Sequence, residues 1–107
     1  MIYALADILL VDFPSTDRSG SKQRPTLVIL DTGDDDVMVA PITSQGTRSD
    51  FDIEVGDWEE AGLKMPSFIR VGKLSIVDKV FVRHQVGKLL GQDSLKVKQV
   101  LAKFGEV

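Results

Sequence analysis

The 107-residue chain has no cysteine and a single histidine. Without cysteine there is no disulfide framework and no thiol nucleophile. With one histidine besides, a structural zinc site lacks its ligands. A Ser-His-Asp triad has only His84 to draw on. No apolar run comes near the ~20 residues a membrane-spanning helix needs, so no membrane association is expected. The first residues show no basic stretch leading into a long apolar one, so a secretory leader is not expected. By exclusion, the cytoplasm is the expected compartment. P-loop, GxSxG and HExxH patterns are all missing.

What remains is a chain of ordinary balance, 43% hydrophobic and 27% charged, which argues against disorder as the main state. Its length suits one domain, residues 1–107. Such a domain hides somewhat more than about 60% of its unfolded surface. The formal net charge is -3, which argues mildly against nucleic-acid binding. The distribution says more. Residues 1–30 hold three acids and three bases, residues 31–60 ten acids against Arg48, and residues 61–107 nine bases against three acids. A positive surface is therefore compatible with the negative total. So is a surface on which the charges mix.

Residues 6–13 (ADILLVDF) read as a core strand that ends at Pro14. Residues 14–24 (PSTDRSGSKQR) read as a long polar loop, a type often functional in small domains. Residues 25–30 (PTLVIL) read as a strand with proline at its first position. Residues 32–36 are a turn, and 37–42 (VMVAPI) a third strand, broken or at an edge near Pro41. Residues 50–55 alternate, with Phe51, Ile53 and Val55 facing one way. Residues 57–63 (DWEEAGL) resemble one helical turn closed by Gly62. Residues 67–71 and 74–77 suggest one long strand with a bulge or bend at Gly72-Lys73. Residues 80–86 suggest another short strand. Asp93 or Ser94 as N-cap, an apolar face of Val97, Val100, Leu101 and Phe104, and Gly105 at C′ predict a C-terminal helix. Five to seven short strands without alternating helices predict a small barrel, mostly β in class.

Several residues invite a chemical reading beside a plain one. Arg24 ends the polar loop, and its fork of donors suits phosphate; it equally suits a surface salt bridge. Thr43 and Ser44 end a strand in hydroxyls that can bond a phosphate oxygen or a 2′-hydroxyl, or simply satisfy a turn. His84, between Arg83 and Gln85, reads as a surface strand residue. Asp34-Asp35-Asp36 lacks the spacing of a calcium loop and reads as a solvated turn. Phe51 and Trp58 can stack on bases, but burial is the simpler reading.

The order ADILLVDF, polar loop, KQRPTLVIL, APITS, AGLKMPSFIRVGKLSIVDK and closing helix resembles the MazF/PemK family of toxin endoribonucleases, over residues 6–104. The resemblance implies an SH3-like barrel with a C-terminal α-helix, usually a homodimer. It implies an enzyme that cuts single-stranded RNA, often mRNA, at short sequences without a metal ion or cofactor. A cognate antitoxin is the implied partner. The family's active-site pair matches Arg24 in QRPTL and Thr43 in APITS. Arg70 in SFIRV matches an arginine that some members use in catalysis. Arg18, Lys22, Ser44, Gln45, Arg48 and Ser67 complete the expected substrate-binding set.

Three positions depart from the family pattern. Ala6-Asp7 stands where the first strand usually opens with Gly-Asp. Gly72 stands where some members have an acid that serves as a candidate base. Arg18 occupies a loop where some carry a histidine. Asp17 and Asp78 are the alternative bases. The contrasting reading is a catalytically weak or inactive SH3-like module that binds RNA or peptide, since fold does not fix function.

Overall fold

A computed structural model describes residues 2–14 and 21–106. Seven strands precede one helix: β1 (Asp7–Pro14), β2 (Ser21–Leu30), β3 (Asp36–Thr43), β4 (Asp52–Glu54), β5 (Phe68–Arg70), β6 (Ser75–Asp78), β7 (Val82–Lys88) and α1 (Gly91–Ala102). The strands form one antiparallel sheet in the order β4-β5-β3-β2-β1-β7, with β6 also paired to β3. The chain is mostly β with a C-terminal helix, as the sequence predicts.

The apolar runs mark strands buried on both faces. Ile8, Leu27 and Ala40 join one core cluster with Ile53, Ile69 and Val97. Leu9, Val11, Val28 and Val39 join a second with Val77. Two-sided burial removes the usual alternation. The expected loop at 14–24 is shorter than its composition suggests, because the β1/β2 ladder continues to Pro14 opposite Ser21. Lys22, Gln23 and Arg24 are strand residues with exposed side chains. Pro25 therefore lies inside β2, not at its start. It sits just before β3 joins at Thr26, where a missing N–H does least harm. Pro41 falls between the stretches of β3 that pair with β6 and with β5.

Two further expectations are corrected. Residues 67–77 are not one bulged strand. A 3-10 turn at Val71–Lys73 splits them into β5 and β6, and a Cβ on Gly72 would lie 3.3 Å from Phe51 Cβ. Neither Asp93 nor Ser94 caps α1, whose N-cap is Leu90. The Asp93 carboxylate turns inward instead and accepts the N–H groups of Gly56 and Asp57, each at 3.0 Å. Its capping chemistry serves another segment. Val97 and Val100 are buried as the periodicity predicts. Phe104 meets Phe51 edge-on, at 5.8 Å between ring centres. Gly105 is not a left-handed C′ residue, since only Gly33 and Gly62 have positive φ among the described glycines. It continues into a 3-10 turn, Lys103–Glu106.

The expected barrel is not closed by hydrogen bonds. Among the described residues, β4 and β7 are unpaired edges. The 57–63 turn that follows β4 rests on β7 instead. Leu63 N–H bonds to Trp58 C=O and Gly62 N–H to Glu59 C=O, a Schellman closure with Gly62 at φ +96°. A Cβ on Gly62 would lie 2.6 Å from Val86 O, and one on Gly87 only 1.9 Å from Ala61 O. Backbone presses on backbone here, and only glycine permits it.

Gly87→Ala is accordingly expected to destabilise the protein by about 3 kcal/mol or more, the upper range of overpacking. Gly91→Ala, with nothing within 4 Å of the added Cβ, is the neutral control; denaturant unfolding of both checks this. Acid is expected to weaken the fold. The Tyr3 N–H above all, with Lys79 and Gly33, outweighs burial and holds Asp31 down from 3.8 to about 2. Burial opposes ionisation of Asp93, but the N–H groups of Asp57 and Gly56 and the Lys96 ammonium prevail and lower it as well. Both carboxylates bind fewer protons folded than unfolded, so stability falls as pH drops from about 4 toward about 2. Asp93→Asn should flatten part of that fall in chemical denaturation repeated across pH.

Candidate active site

The sheet's register builds a cleft. Leu10 on β1 has Pro25 of β2 opposite it on one side and His84 of β7 on the other. Cross-strand neighbours share a face, and all three line a cleft of about 870 Å³. The end of β3 and the residues after Gly62 supply more of the lining, including Thr43, Ser44, Gln45, Lys64 and Met65.

The charge of the cleft is one-sided. The cations Lys22, Arg24 and Lys64 and the imidazole of His84 line it, and among the described residues no carboxylate does. Among the described residues, none of the four has an ion pair or a hydrogen-bonded side chain. The acidic stretch 31–60 reaches the lining only through Ile42, Thr43, Ser44 and Gln45, all uncharged. The charges therefore segregate around this cleft, which resolves the choice the sequence left open.

Thr43 Oγ1 accepts the N–H of Gln45 at 3.1 Å. The plain reading as a turn residue holds. Ser67 also lines the cleft, but its hydroxyl donates to Met65 C=O at 2.8 Å, so it shapes the wall. Gln45 Oε1 accepts from Arg48 Nη2 at 2.9 Å. Arg48 itself lies outside the lining, and its N–H donates to Asp52 Oδ2 at 2.6 Å. Arg18 and Asp17 lie outside the described residues.

Arg70 is also outside the lining. Its Nη1 meets Asp52 Oδ2 at 2.6 Å and its Nη2 donates to Gly46 C=O at 3.2 Å. It ties β4 to the loop that carries Gln45. Asp78 accepts Val80 N–H at 3.0 Å at the start of a 3-10 turn, also away from the cleft. Phe51 and Trp58 pack against the core cluster, in line with the simpler reading of both.

A family profile described as a PemK-like, MazF-like toxin of type II toxin-antitoxin systems matches residues 5–105. The chain belongs to this family. No curated protein sequence matches it. Solved structures share its fold. An endoribonuclease in complex with its cognate antitoxin, from a mycobacterial species, superposes with a TM-score of 0.77 at 12% identity, over 98% of this chain and 96% of its own. The Mycobacterium tuberculosis toxin MazF-mt6 does so with 0.70 at 20% identity, over 92% and 97%.

The family's usual Gly-Asp opening gains a physical meaning here. Ala6 has φ +83°, in the left-handed region that favours glycine, while its methyl is buried. A non-glycine residue there carries about 1–2 kcal/mol of strain. The structure brings Arg24, Thr43, Lys22, Ser44, Gln45 and Ser67 to one cleft, and leaves Arg70 and Arg48 beside it. It also adds two titratable cleft residues absent from the expected set, Lys64 and His84. Neither had a local signal, because β1 brings His84 to β2 through long-range pairing and Gly62 aims the Lys64 segment.

The two arginines should separate cleanly. Asp52 has a side chain only 5% exposed, so Arg70→Ala strands most of its charge compensation. Breaking a buried pair costs about 3–5 kcal/mol. Asp52 keeps the Arg48 N–H, so about 2–3 kcal/mol is expected. Arg24→Ala, on an exposed and unpaired side chain, should stay within about 0.5 kcal/mol of the parent. Paired thermal or urea melts check both.

Proposed function

We propose that the chain is the toxin endoribonuclease of a type II toxin-antitoxin pair, cutting single-stranded RNA, mRNA foremost, at short sequences. The observation that carries this is the cleft lined by Lys22, Arg24 and Lys64 with no carboxylate among the described residues. Such a surface attracts a polyanion, and a folded RNA helix is not needed to fill it. The net charge of -3 does not oppose this, because the acids among the described residues lie off the cleft lining.

The reaction is attack of a ribose 2′-hydroxyl on the adjacent phosphorus, with departure of the 5′-oxygen and formation of a 2′,3′-cyclic phosphate. Negative charge grows on the phosphate oxygens in the transition state. Arg24 offers two parallel donors to them, and the guanidinium needs no carboxylate to be released first. The Thr43 hydroxyl donates to a phosphate oxygen while its own oxygen is held by Gln45 N–H. Ser44 and Gln45 contact the flanking nucleotides. Arg70 serves by pinning Gly46 and so the loop that presents Gln45. Among the described residues the lining offers one imidazole and no carboxylate, a donor set ill suited to a divalent cation, and the route needs none.

The same positive cleft suits an acidic segment of an antitoxin, and the fold it shares with an antitoxin-bound endoribonuclease supports that partner. A homodimer belongs to the same proposal. Leu30, Met38 and Ile76 stand in register across β2, β3 and β6, and Leu30 and Ile76 are exposed. A second copy would cover that strip. The competing reading is a module that holds RNA without cutting it. The lack of a carboxylate in the lining, among the described residues, favours it, because carboxylates are common bases.

Two measurements test the proposal. A long single-stranded RNA containing all pentamers, incubated in excess EDTA, should show discrete cuts with 2′,3′-cyclic phosphate ends. Arg24→Ala should cut about 10²–10³-fold more slowly. Binding without cuts would favour the holding module. Affinity for single-stranded RNA should fall with salt at a log–log slope of about -2, three cations at about -0.7 each. A flat salt response would remove the cleft from RNA binding.

A further inference from the structure

Transfer of the 2′-proton needs an acceptor, and the cleft is rich in donors but poor in bases. Lys22, Arg24 and Lys64 are cations at neutral pH, and Thr43, Ser44 and Ser67 are hydroxyls too weakly basic to take a proton. Gln23 and Gln45 offer amides with no basicity. The acid that some family members place two residues after the matched arginine is Gly72, and a side chain there would press on Phe51. Asp78 is spent on a turn N–H away from the cleft. Among the described residues, one lining side chain remains that carries a basic nitrogen lone pair, His84.

We propose that His84 is the general base of the cleavage reaction. Its placement follows from register. β1 carries Leu10 between Pro25 and His84, which share its face, and Arg24, which pairs across to Val11, lines the same cleft, so the imidazole and the guanidinium border it from two strands. His84 is exposed, and among the described residues no side chain ties it down. The charged groups around it are Lys22 and Arg24 from β2, Lys64 from the segment after Gly62, and Arg83 on its own strand. Arg83 is paired with Asp12 of β1 and so is held to the sheet. The neutral imidazole takes the proton of the 2′-hydroxyl as the 2′-oxygen bonds to phosphorus. The bond from phosphorus to the 5′-oxygen breaks with its electron pair, and that oxygen takes a proton from water. The imidazolium then returns its proton to the hydroxide so formed.

The inference rests on the ribonuclease reading, and the test keeps the two apart. Single-turnover cleavage is followed across pH for the parent, His84→Gln and His84→Ala, with binding of a 2′-O-methyl RNA as a control. The parent rate should rise about tenfold per pH unit on the acid side and then level off. His84→Gln should be about 10²–10⁴-fold slower, with that limb gone and binding within about threefold. Added imidazole should restore part of the His84→Ala rate. Parent-like rate and pH profile in His84→Gln would overturn the inference while leaving the ribonuclease standing. Loss of binding in step with rate would make His84 a binding group and overturn it too. Absence of Arg24-dependent cuts in the parent would overturn both readings together.

Discussion

The contact of Ala61-Gly62 against Val86-Gly87 is the constraint on which the molecule's shape depends. The path of the sheet ends at β4 and at β7, and among the described residues no ladder joins them. A turn laid across β7 does that task, at a separation that admits no side chain on either glycine. The same contact fixes where residues 63–65 emerge and how β7 lies beside β1. Both walls of the cleft are set by it. Asp93 supports it from the other end, since its carboxylate holds the N–H groups that open the turn.

The cleft's electrostatics rest on a division of labour among the acids. Asp52 is committed to Arg70, Asp31 to Lys79, Asp12 to Arg83 and Asp93 to Lys96. These four carboxylates are occupied in holding the structure together, and among the described residues none lines the cleft with Lys22, Arg24 and Lys64. A protein with more acids than bases thereby presents a surface of opposite sign at one place.

Much of the fold was legible because its signals are local. The apolar runs at 8–11 and 37–40, the alternation at 51–55 and the spacing of Val97 and Val100 each name an element from within it. Gly62 was legible as a closure for the same reason. The errors lie where distant residues decide. Lys22 to Arg24 extend a strand because β1 pairs with them, and their polarity reads as loop. Asp93 reads as a cap, but its partners are 36 and 37 positions away. Arg24 and Thr43 were reachable through the family pattern, whereas His84 was not, since only the β1 pairing brings it to them. The role of Arg70 needed Asp52 and Gly46 to be seen beside it.

The ladder between β1 and β7 has a consequence in time as well as in space. Its ends lie far apart in the chain; Asp12 and Arg83, which it brings together, are separated by 71 positions. Contacts of such long range form late, after the loop between them has been closed. A chain still emerging from a ribosome holds β2 and its arginine but not yet the strand that completes the cleft. On the function proposed here, a nascent molecule is harmless to the message being read to make it, and it becomes dangerous only on release.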